Sequence, residues 1–221
     1  MAVTGLASGA VITGFSYPYV AKYTVSSGTV SYTSGQNLAR GVSVSTSIET
    51  LGEDNIFYAN NEAVEVAPLR FRRGTATLTV DGLLVAAEKL ILGLPNARSL
   101  TVQSGVTVEM EDYGDDQEIP YVGIGYIIRR QSAGVEYYQG VVYLKARFSQ
   151  FEPGAETQGE DIDWQTTELE ATLLRDDTAK HNWKTVSAPC ETELEAYNAV
   201  VVTLGGTAAA ALPTNGAVSS T

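Results

Sequence analysis

Apolar and polar residues alternate along most of this chain, which is the pattern of strands with one buried face. Between residues 74 and 80, three threonines alternate with three apolar residues, so we expect a strand over 69–80 with a polar face. The stretch 38–48 alternates valines with serines in the same way. Strand-forming residues on both sides of Ser26-Ser-Gly28 predict an early hairpin.

The clearest prediction is a central hairpin formed by the stretches 120–130 and 135–148. Both are rich in β-branched and aromatic residues, and the short polar connection Gln131-Ser-Ala-Gly134 between them ends in glycine. Such a connection is typical of a tight reversal between two strands. We expect one apolar face of this hairpin to form the centre of the core. The expected core residues are Val122, Ile124, Tyr126, Ile128, Val142, Leu144, Ala146 and Phe148.

One helix is expected among these strands, over residues 82–92. Five apolar residues recur there at helical spacing, Asp81 precedes the stretch as an expected N-cap, and Gly93-Leu-Pro95 ends it. Residues 191–204 are expected to form a short helix that runs into a strand, and residues 101–110 a single strand. The predicted fold class is therefore mainly β, of the α+β type, with one flanking helix.

The 221 residues suffice for one domain with extensions. We expect an N-terminal arm at 1–13, a β domain at 14–204, and a tail of small residues at 205–221 that is mobile or ordered only against a neighbour. No run of about 18 apolar residues occurs, so no membrane insertion is predicted. The first residues lack the pattern of a secretory signal, so none is expected.

The chain carries a formal net charge of −12. The charge is concentrated, because between residues 105 and 170 there are 14 acidic and four basic side chains. Proteins that bind nucleic acid tightly neutralise its phosphates with Lys and Arg. The charge therefore argues against a nucleic-acid-binding surface.

Candidate catalytic residues are few. His181 is the only histidine and Cys190 the only cysteine, so neither a nucleophilic triad nor a zinc site is predicted. In the pairs Asp161/Asp163 and Glu109/Glu111, two carboxylates share one face of a strand, a separation that overlaps with that of glycosidases. A solvent-facing acidic strand shows the same alternation, and we favour that interpretation. We predict no enzyme activity.

Two further motifs have a structural interpretation. The acidic loop 111–118 lacks the EF-hand pattern, so a solvated loop is favoured over a calcium site. Gly123 and Gly125 lie within a strand and not between a strand and a helix, so we expect them to permit a close backbone approach or a twist and not to hold a phosphate. No metal or cofactor is predicted.

Six segments follow one another along the chain. The first is a tyrosine-rich hairpin after Phe15. The five later segments are Asn55-Ile-Phe-Tyr-Ala-Asn-Asn61, Gly74-Thr-Ala-Thr-Leu-Thr-Val80 with the following helix to Gly93, Pro120-Tyr-Val-Gly-Ile-Gly-Tyr126, Tyr143-Leu-Lys-Ala-Arg-Phe148 and Gly159-Glu-Asp-Ile-Asp-Trp-Gln-Thr166. In this order the six segments resemble the major tail tube protein of long-tailed, siphovirus-type bacteriophages, and the resemblance as a whole extends to about Val200.

The resemblance implies a β-sandwich or half-barrel with one flanking helix that completes a barrel by forming hexameric rings. Stacked rings would make the tail tube, a structural part of the virion that is produced in the bacterial cytoplasm. The implied partners are further copies of the chain, the tape measure protein and the tail-end proteins. DNA would pass through the tube without specific binding, which the acidic charge favours independently.

Two sets of residues follow as expectations. The acids expected to face the lumen are Glu136, Glu160, Asp161, Asp163, Glu168 and Glu170. The residues expected in an inter-subunit loop are Glu53, Asp54, Asn55, Phe57 and Tyr58. The alternative interpretation is a monomeric β-sandwich that binds carbohydrate or a host surface, and the two interpretations differ in whether the chain self-associates.

Overall fold

The computed structural model of the protein describes residues 9–51, 56–66, 68–95, 97–115, 117–152, 154 and 165–214. This part of the chain is mainly β and contains two helices. The elements are β1 (Val11–Ser26), β2 (Thr29–Asn37), β3 (Gly41–Leu51), β4 (Ile56–Ala59), β5 (Glu62–Val66), β6 (Arg70–Val80), α1 (Val85–Leu92), β7 (Arg98–Gln103), β8 (Val106–Met110), β9 (Val122–Ser132), β10 (Val135–Phe148), β11 (Thr167–Leu174), β12 (Lys184–Val186) and α2 (Glu193–Thr203).

Eight strands form one antiparallel sheet in the order β2-β1-β9-β10-β11-β6-β3, with β12 beside β10. The sheet curls, because its last strand, β3, comes back against β1. The Thr46 hydroxyl of β3 lies 2.7 Å from the Tyr143 hydroxyl of β10, which in turn lies 3.0 Å from that of Tyr126. No hydrogen-bonded ladder joins β1 to β3 in the described residues.

The main core fills the inside of this curl. Alternate residues of β6 and β11 point into it, and so do residues of β9, β10 and β1. Helix α1 closes one end of the core with Ala87, Ile91 and Leu92. The predicted alternation of residues 74–80 is confirmed, because Ala76, Leu78 and Val80 are buried while the threonines lie on the other face.

The predicted central hairpin is confirmed, but the expected register of its apolar side chains is wrong. Ile124 pairs with Tyr143, and Val142 pairs with Gly125 on the opposite face of the sheet. A bulge after Tyr143 inserts one extra residue and reverses the alternation, so that Ala146 returns to the face of Tyr143. Seven of the eight expected core residues are buried, but Val142 and the partly buried Leu144 belong to a second cluster.

The second cluster lies between the sheet and α2. Val200 and Leu204 at this helix pack on Ile127 and Val142, so the prediction of a single flanking helix is wrong. The predicted continuation of residues 191–204 into a strand is also wrong, because the helix runs to Thr203. Its first turn has a capping box, in which the Thr192 hydroxyl accepts from the Glu195 amide and the Glu195 carboxylate accepts from the Thr192 amide.

The start of the predicted first helix also differs from expectation. Helix α1 begins at Val85, and its N-cap is Leu84 without a side-chain hydrogen bond. Asp81, the expected cap, instead accepts hydrogen bonds from the backbone and side chain of Arg40. The predicted end is confirmed, since Gly93 adopts the left-handed conformation with φ of 63°.

Two small hairpins stand apart from the main sheet. In the described residues, strands β4 and β5 pair only with each other, through a turn at Asn60-Asn61, where both residues have positive φ. Strands β7 and β8 likewise pair only with each other, so the single strand expected over 101–110 is a hairpin that turns at Gly105.

Both terminal segments are partly built into the fold. Residues 11–13 of the expected N-terminal arm belong to β1 and pair with β9. In the expected C-terminal tail, the Asn198 side chain bonds to the backbone N–H and C=O of Ala209 at 2.8 and 3.0 Å, and Leu212 packs against the second cluster. Ala209 and Leu212 therefore connect this part of the tail to α2 and the second cluster.

Candidate functional site

The outer face of β3, β6 and β11 carries short polar and acidic side chains. Cross-strand partners in an antiparallel sheet point to the same side, so the register of these strands aligns alternate residues into rows. We call this surface the hydroxyl face. Its three rows are Ser43–Thr79–Glu168, Ser45–Thr77–Glu170 and Ser47–Thr75–Thr172.

The hydroxyl face is anionic. Its nine positions include two carboxylates and no basic side chain. Cations border it: Arg147 on β10 is paired with Thr172, and its guanidinium lies 5.9 Å from the ring centroid of Tyr121. At the start of β6, Arg73 donates two hydrogen bonds to Glu49, at 2.8 and 3.0 Å, and these lower the pKa of that carboxyl group.

The side chain of the neighbouring Lys145 contacts an acidic and two aromatic residues of its own subunit. It bonds to Asp177 at 2.6 Å, and its ammonium group lies 5.2 and 4.6 Å from the ring centroids of Tyr23 and Tyr121. The hydrogen bonds from Lys145 and then from the Tyr23 hydroxyl lower the pKa of Asp177. This cation is therefore engaged within the subunit.

The structure brings two of the expected lumenal acids together and separates a third. Glu168 and Glu170 lie on the hydroxyl face. Glu136 lies near the opposite end of β10, roughly 35 Å from Arg147 along the strand at about 3.3 Å per residue. Hydrogen bonds from Tyr138 and Arg129, at 2.6 and 2.5 Å, lower its pKa. Glu160, Asp161 and Asp163 lie outside the described residues.

The β4–β5 hairpin exposes large apolar side chains. Phe57 and Tyr58, which were expected in an inter-subunit loop, are 63% and 61% exposed, and Val64 is similarly open. No other described element packs extensively on this hairpin. Glu53, Asp54 and Asn55 of the same expected loop lie outside the described residues.

Sequence reasoning missed a comparable surface on the β7–β8 hairpin. Every residue of both strands is exposed, and no other described element packs extensively on them. The available signal was Ser104-Gly105 between two runs of β-forming residues. The exposed apolar residues are Leu100, Val102, Val106, Val108 and Met110.

The glycines of β9 act as expected from the sequence. A Cβ atom on Gly123 would lie 2.4 Å from Leu204 Cδ2, and one on Gly125 would lie 2.3 Å from Val200 Cγ1. Both glycines therefore permit the close approach of α2 to the sheet.

The remaining candidate residues contact neighbouring residues of the fold. His181 lies in a turn with φ of 51°, and its Nδ1 is 3.3 Å from the backbone oxygen of Asp176. Glu111 forms an ion pair with Lys89 at 2.5 Å. In the described part of the chain, no group of three His, Cys, Asp or Glu side chains is placed to hold a metal ion. Neither described helix has the length and apolar character needed to cross a membrane.

Comparison with known proteins adds no identification. No protein-family model matches the chain, and no curated protein is significantly similar to it. The structure therefore defines only the class of protein. It is a mainly β protein with a curled, eight-stranded antiparallel sheet, two helices and two projecting hairpins among its described residues.

Proposed function

We propose that this protein is a structural virion protein, the major tail tube protein of a long-tailed bacteriophage. Copies of the chain assemble into hexameric rings, the rings stack into a tube, and the tube is an acidic conduit for DNA. The tape measure protein and the tail-end proteins are its other partners. The observation that carries this proposal is the pair of projecting hairpins, whose large apolar side chains are exposed in the part of the subunit that the structure describes.

Two-stranded hairpins are marginally stable in water when nothing packs on them. Exposed apolar side chains gathered on such a hairpin are typical of protein–protein interfaces. Because the β4–β5 and β7–β8 hairpins both have this character, contacts with other subunits would stabilise them. A chain with two such surfaces can contact more than one neighbour, which is what a ring within a stack requires.

The hydroxyl face supports a position on the inside of the tube. Strand β3 is the last strand of the main sheet, and no described strand forms a ladder along its outer edge; edge strands of this kind pair readily with other strands. Pairing of this edge with a neighbouring copy would continue the rows of hydroxyls and carboxylates from subunit to subunit. Closing the sheet around a ring removes the exposed edge.

The chemistry of this face suits the passage of DNA. Duplex DNA carries one negative charge per roughly 1.7 Å, and each bound cation would add a contact that repeats along the tube. Glu168 and Glu170 repel phosphates, while the serine and threonine hydroxyls keep the surface hydrated. DNA can therefore move through without being held.

The test is the association state of the purified chain. Sedimentation velocity should show species much larger than the 23.5 kDa subunit, growing with concentration, and negative-stain microscopy should show rings and tubes. A subunit that stays monodisperse at all concentrations would refute the proposal and favour the alternative, a monomeric module that binds carbohydrate or a host surface.

A further inference from the structure

A groove of about 420 Å³ opens at the incomplete seam of the curled sheet. Its walls are the N-terminal half of β1 and the first half of β3, and its floor is formed by β9, β10 and β12. The apolar lining includes Ile12, Phe15, Val42, Val44, Ile128 and Val186.

Two cations lie in this otherwise apolar groove. The Nε atom of Arg130 is buried and has no hydrogen-bond partner among the described residues. The ammonium group of Lys184 lies 5.7 Å from the ring centroid of Tyr143. No carboxylate belongs to the described lining of the groove. A buried donor without an acceptor is costly, so the groove favours an occupant that brings both apolar surface and a carboxylate.

We propose that the occupant is the β4–β5 hairpin of a second copy of this chain. In this hairpin Phe57 is paired across the strands with Glu65, and Ala59 is paired with Glu62. Cross-strand partners share one face, so a single face presents an aromatic ring and two carboxylates. Phe57 enters the apolar part of the groove, and Glu65 accepts hydrogen bonds from Arg130.

The hairpin of the same chain does not line the groove. The groove is lined by β3 from Val42 to Thr46, and the strand then continues to Leu51 before the hairpin begins. That distance is roughly 17 Å along the strand at about 3.3 Å per residue. The described hairpin contributes no residue to the groove lining.

The contact between hairpin and groove is head-to-tail. Each copy has one β4–β5 hairpin and one groove of this kind, and such heterologous contacts produce rings when the rotation closes and filaments when it does not. This inference rests on the proposed self-assembly and adds the pair of surfaces that makes one of its contacts.

Charge reversal tests the pairing. Arg130→Glu and Glu65→Arg each place like charges in the contact, so each variant alone should require at least roughly tenfold more protein to assemble in sedimentation velocity. An equimolar mixture of the two should assemble as wild type does. In an alternating assembly of the two variants, every hairpin meets a groove of opposite charge.

Control variants reverse exposed charges elsewhere. Lys180→Glu and Glu152→Arg should assemble as wild type does, both alone and mixed. If the wild type assembles and Arg130→Glu and Glu65→Arg alone do so equally well, the hairpin–groove contact is wrong while the proposed function stands. Restored assembly in the mixture also shows that both variants fold. Folded variants whose mixture stays unassembled overturn the inference, and a wild type that never assembles overturns both.

Disulfide cross-linking provides a second measurement. In a Cys190→Ser background, Phe57→Cys and Val44→Cys introduce one thiol in the hairpin and one in the groove. Oxidation should yield a ladder of linked copies on a non-reducing gel. A band of one copy with altered mobility would show a disulfide within a single chain and would overturn the inference. The absence of any cross-link would overturn it as well.

Discussion

Replacement of Gly125 by alanine should destabilise the subunit by a predictable amount. The new Cβ would lie 2.3 Å from Val200 Cγ1, 3.3 Å from Leu204 Cδ1 and 3.5 Å from Val142 Cγ2. The valine cannot easily rotate away, because χ1 of a β-branched residue in a helix has one strongly preferred rotamer. Helix α2 must therefore move outward from the sheet.

The cost follows from two opposing effects. Inserting a methyl group into a packed core costs about 1–3 kcal/mol, and the reduced freedom of the unfolded chain returns about 0.4–1 kcal/mol. We expect a net loss of about 1–2 kcal/mol in the free energy of unfolding for Gly125→Ala. For a domain of this size, the melting temperature should fall by roughly 2–8 °C.

A double-mutant cycle attributes the effect to the contact with α2. Val200→Ala alone removes two methyl groups and should cost about 1.6 kcal/mol, with an added cavity cost. Combined with Gly125→Ala, it relieves the clash, so the double variant should lose at least about 0.5 kcal/mol less than the sum of the single variants. Urea unfolding followed by tryptophan fluorescence measures all three variants.

The control for this cycle is Gly82→Ala. A Cβ atom on Gly82 would meet no described residue within 4 Å apart from its two chain neighbours, so this variant should be as stable as wild type or slightly more stable. The measurements need a concentration at which the chain is monomeric, because assembly stabilises the folded state by mass action. Gly125→Ala with wild-type stability, or additive costs in the cycle, would refute the close approach of α2.

Three further predictions concern assembly, the conduit and alkaline pH. Phe57→Ser should abolish assembly in sedimentation while changing the free energy of unfolding of the subunit by less than about 0.5 kcal/mol, because the side chain is exposed; an unaffected assembly would contradict the role of this hairpin. Glu168→Lys combined with Glu170→Lys should leave tubes intact but make them co-sediment with DNA at physiological salt, whereas wild-type tubes should not; lack of DNA binding would contradict the role of these two carboxylates in keeping DNA from being held. Burial, with a smaller contribution from neighbouring groups, raises the pKa of Tyr19 and Tyr23 to about 12; the stability that their neutral form provides is complete below pH 10 and is lost as pH rises towards 12, so phenolate absorbance should appear together with unfolding, and independent ionisation near pH 10 would contradict it.

Local signals predicted those elements that depend on local interactions. The turn of the central hairpin has Ala133 and Gly134 at positive φ, as its glycine indicated. The alternation of 74–80 identified a strand with one polar face, because among regular structures only a strand has a side-chain period of two residues. Gly93 ends the first helix because glycine readily adopts the left-handed conformation, and the same property made this helix end recognisable in the sequence.

Tertiary context decided the elements that were predicted wrongly. The run Val200-Val-Val202 is β-branched and suggested a strand, yet packing on the sheet keeps it helical. The capping box of Thr192 and Glu195 was the sequence signal for this helix. The bulge after Tyr143 has no comparable signal, since it depends on the pairing of β10 with β9 on one side and β11 on the other.

From the sequence, the candidate site could be predicted only one strand at a time, as polar residues that alternate with apolar ones. Glu168 and Glu170 alternate with buried residues in β11, so their exposure was readable from the sequence. Their direct neighbours across the sheet come from β6, and the serines beyond these come from β3, more than 120 positions earlier in the chain. No local pattern states that these serines will extend the same face. The anionic surface arises because two strands with hydroxyl side chains lie beside one with carboxylates. Removal of the carboxylates should therefore change its charge while the buried rows beneath it, and with them the fold, remain as they are.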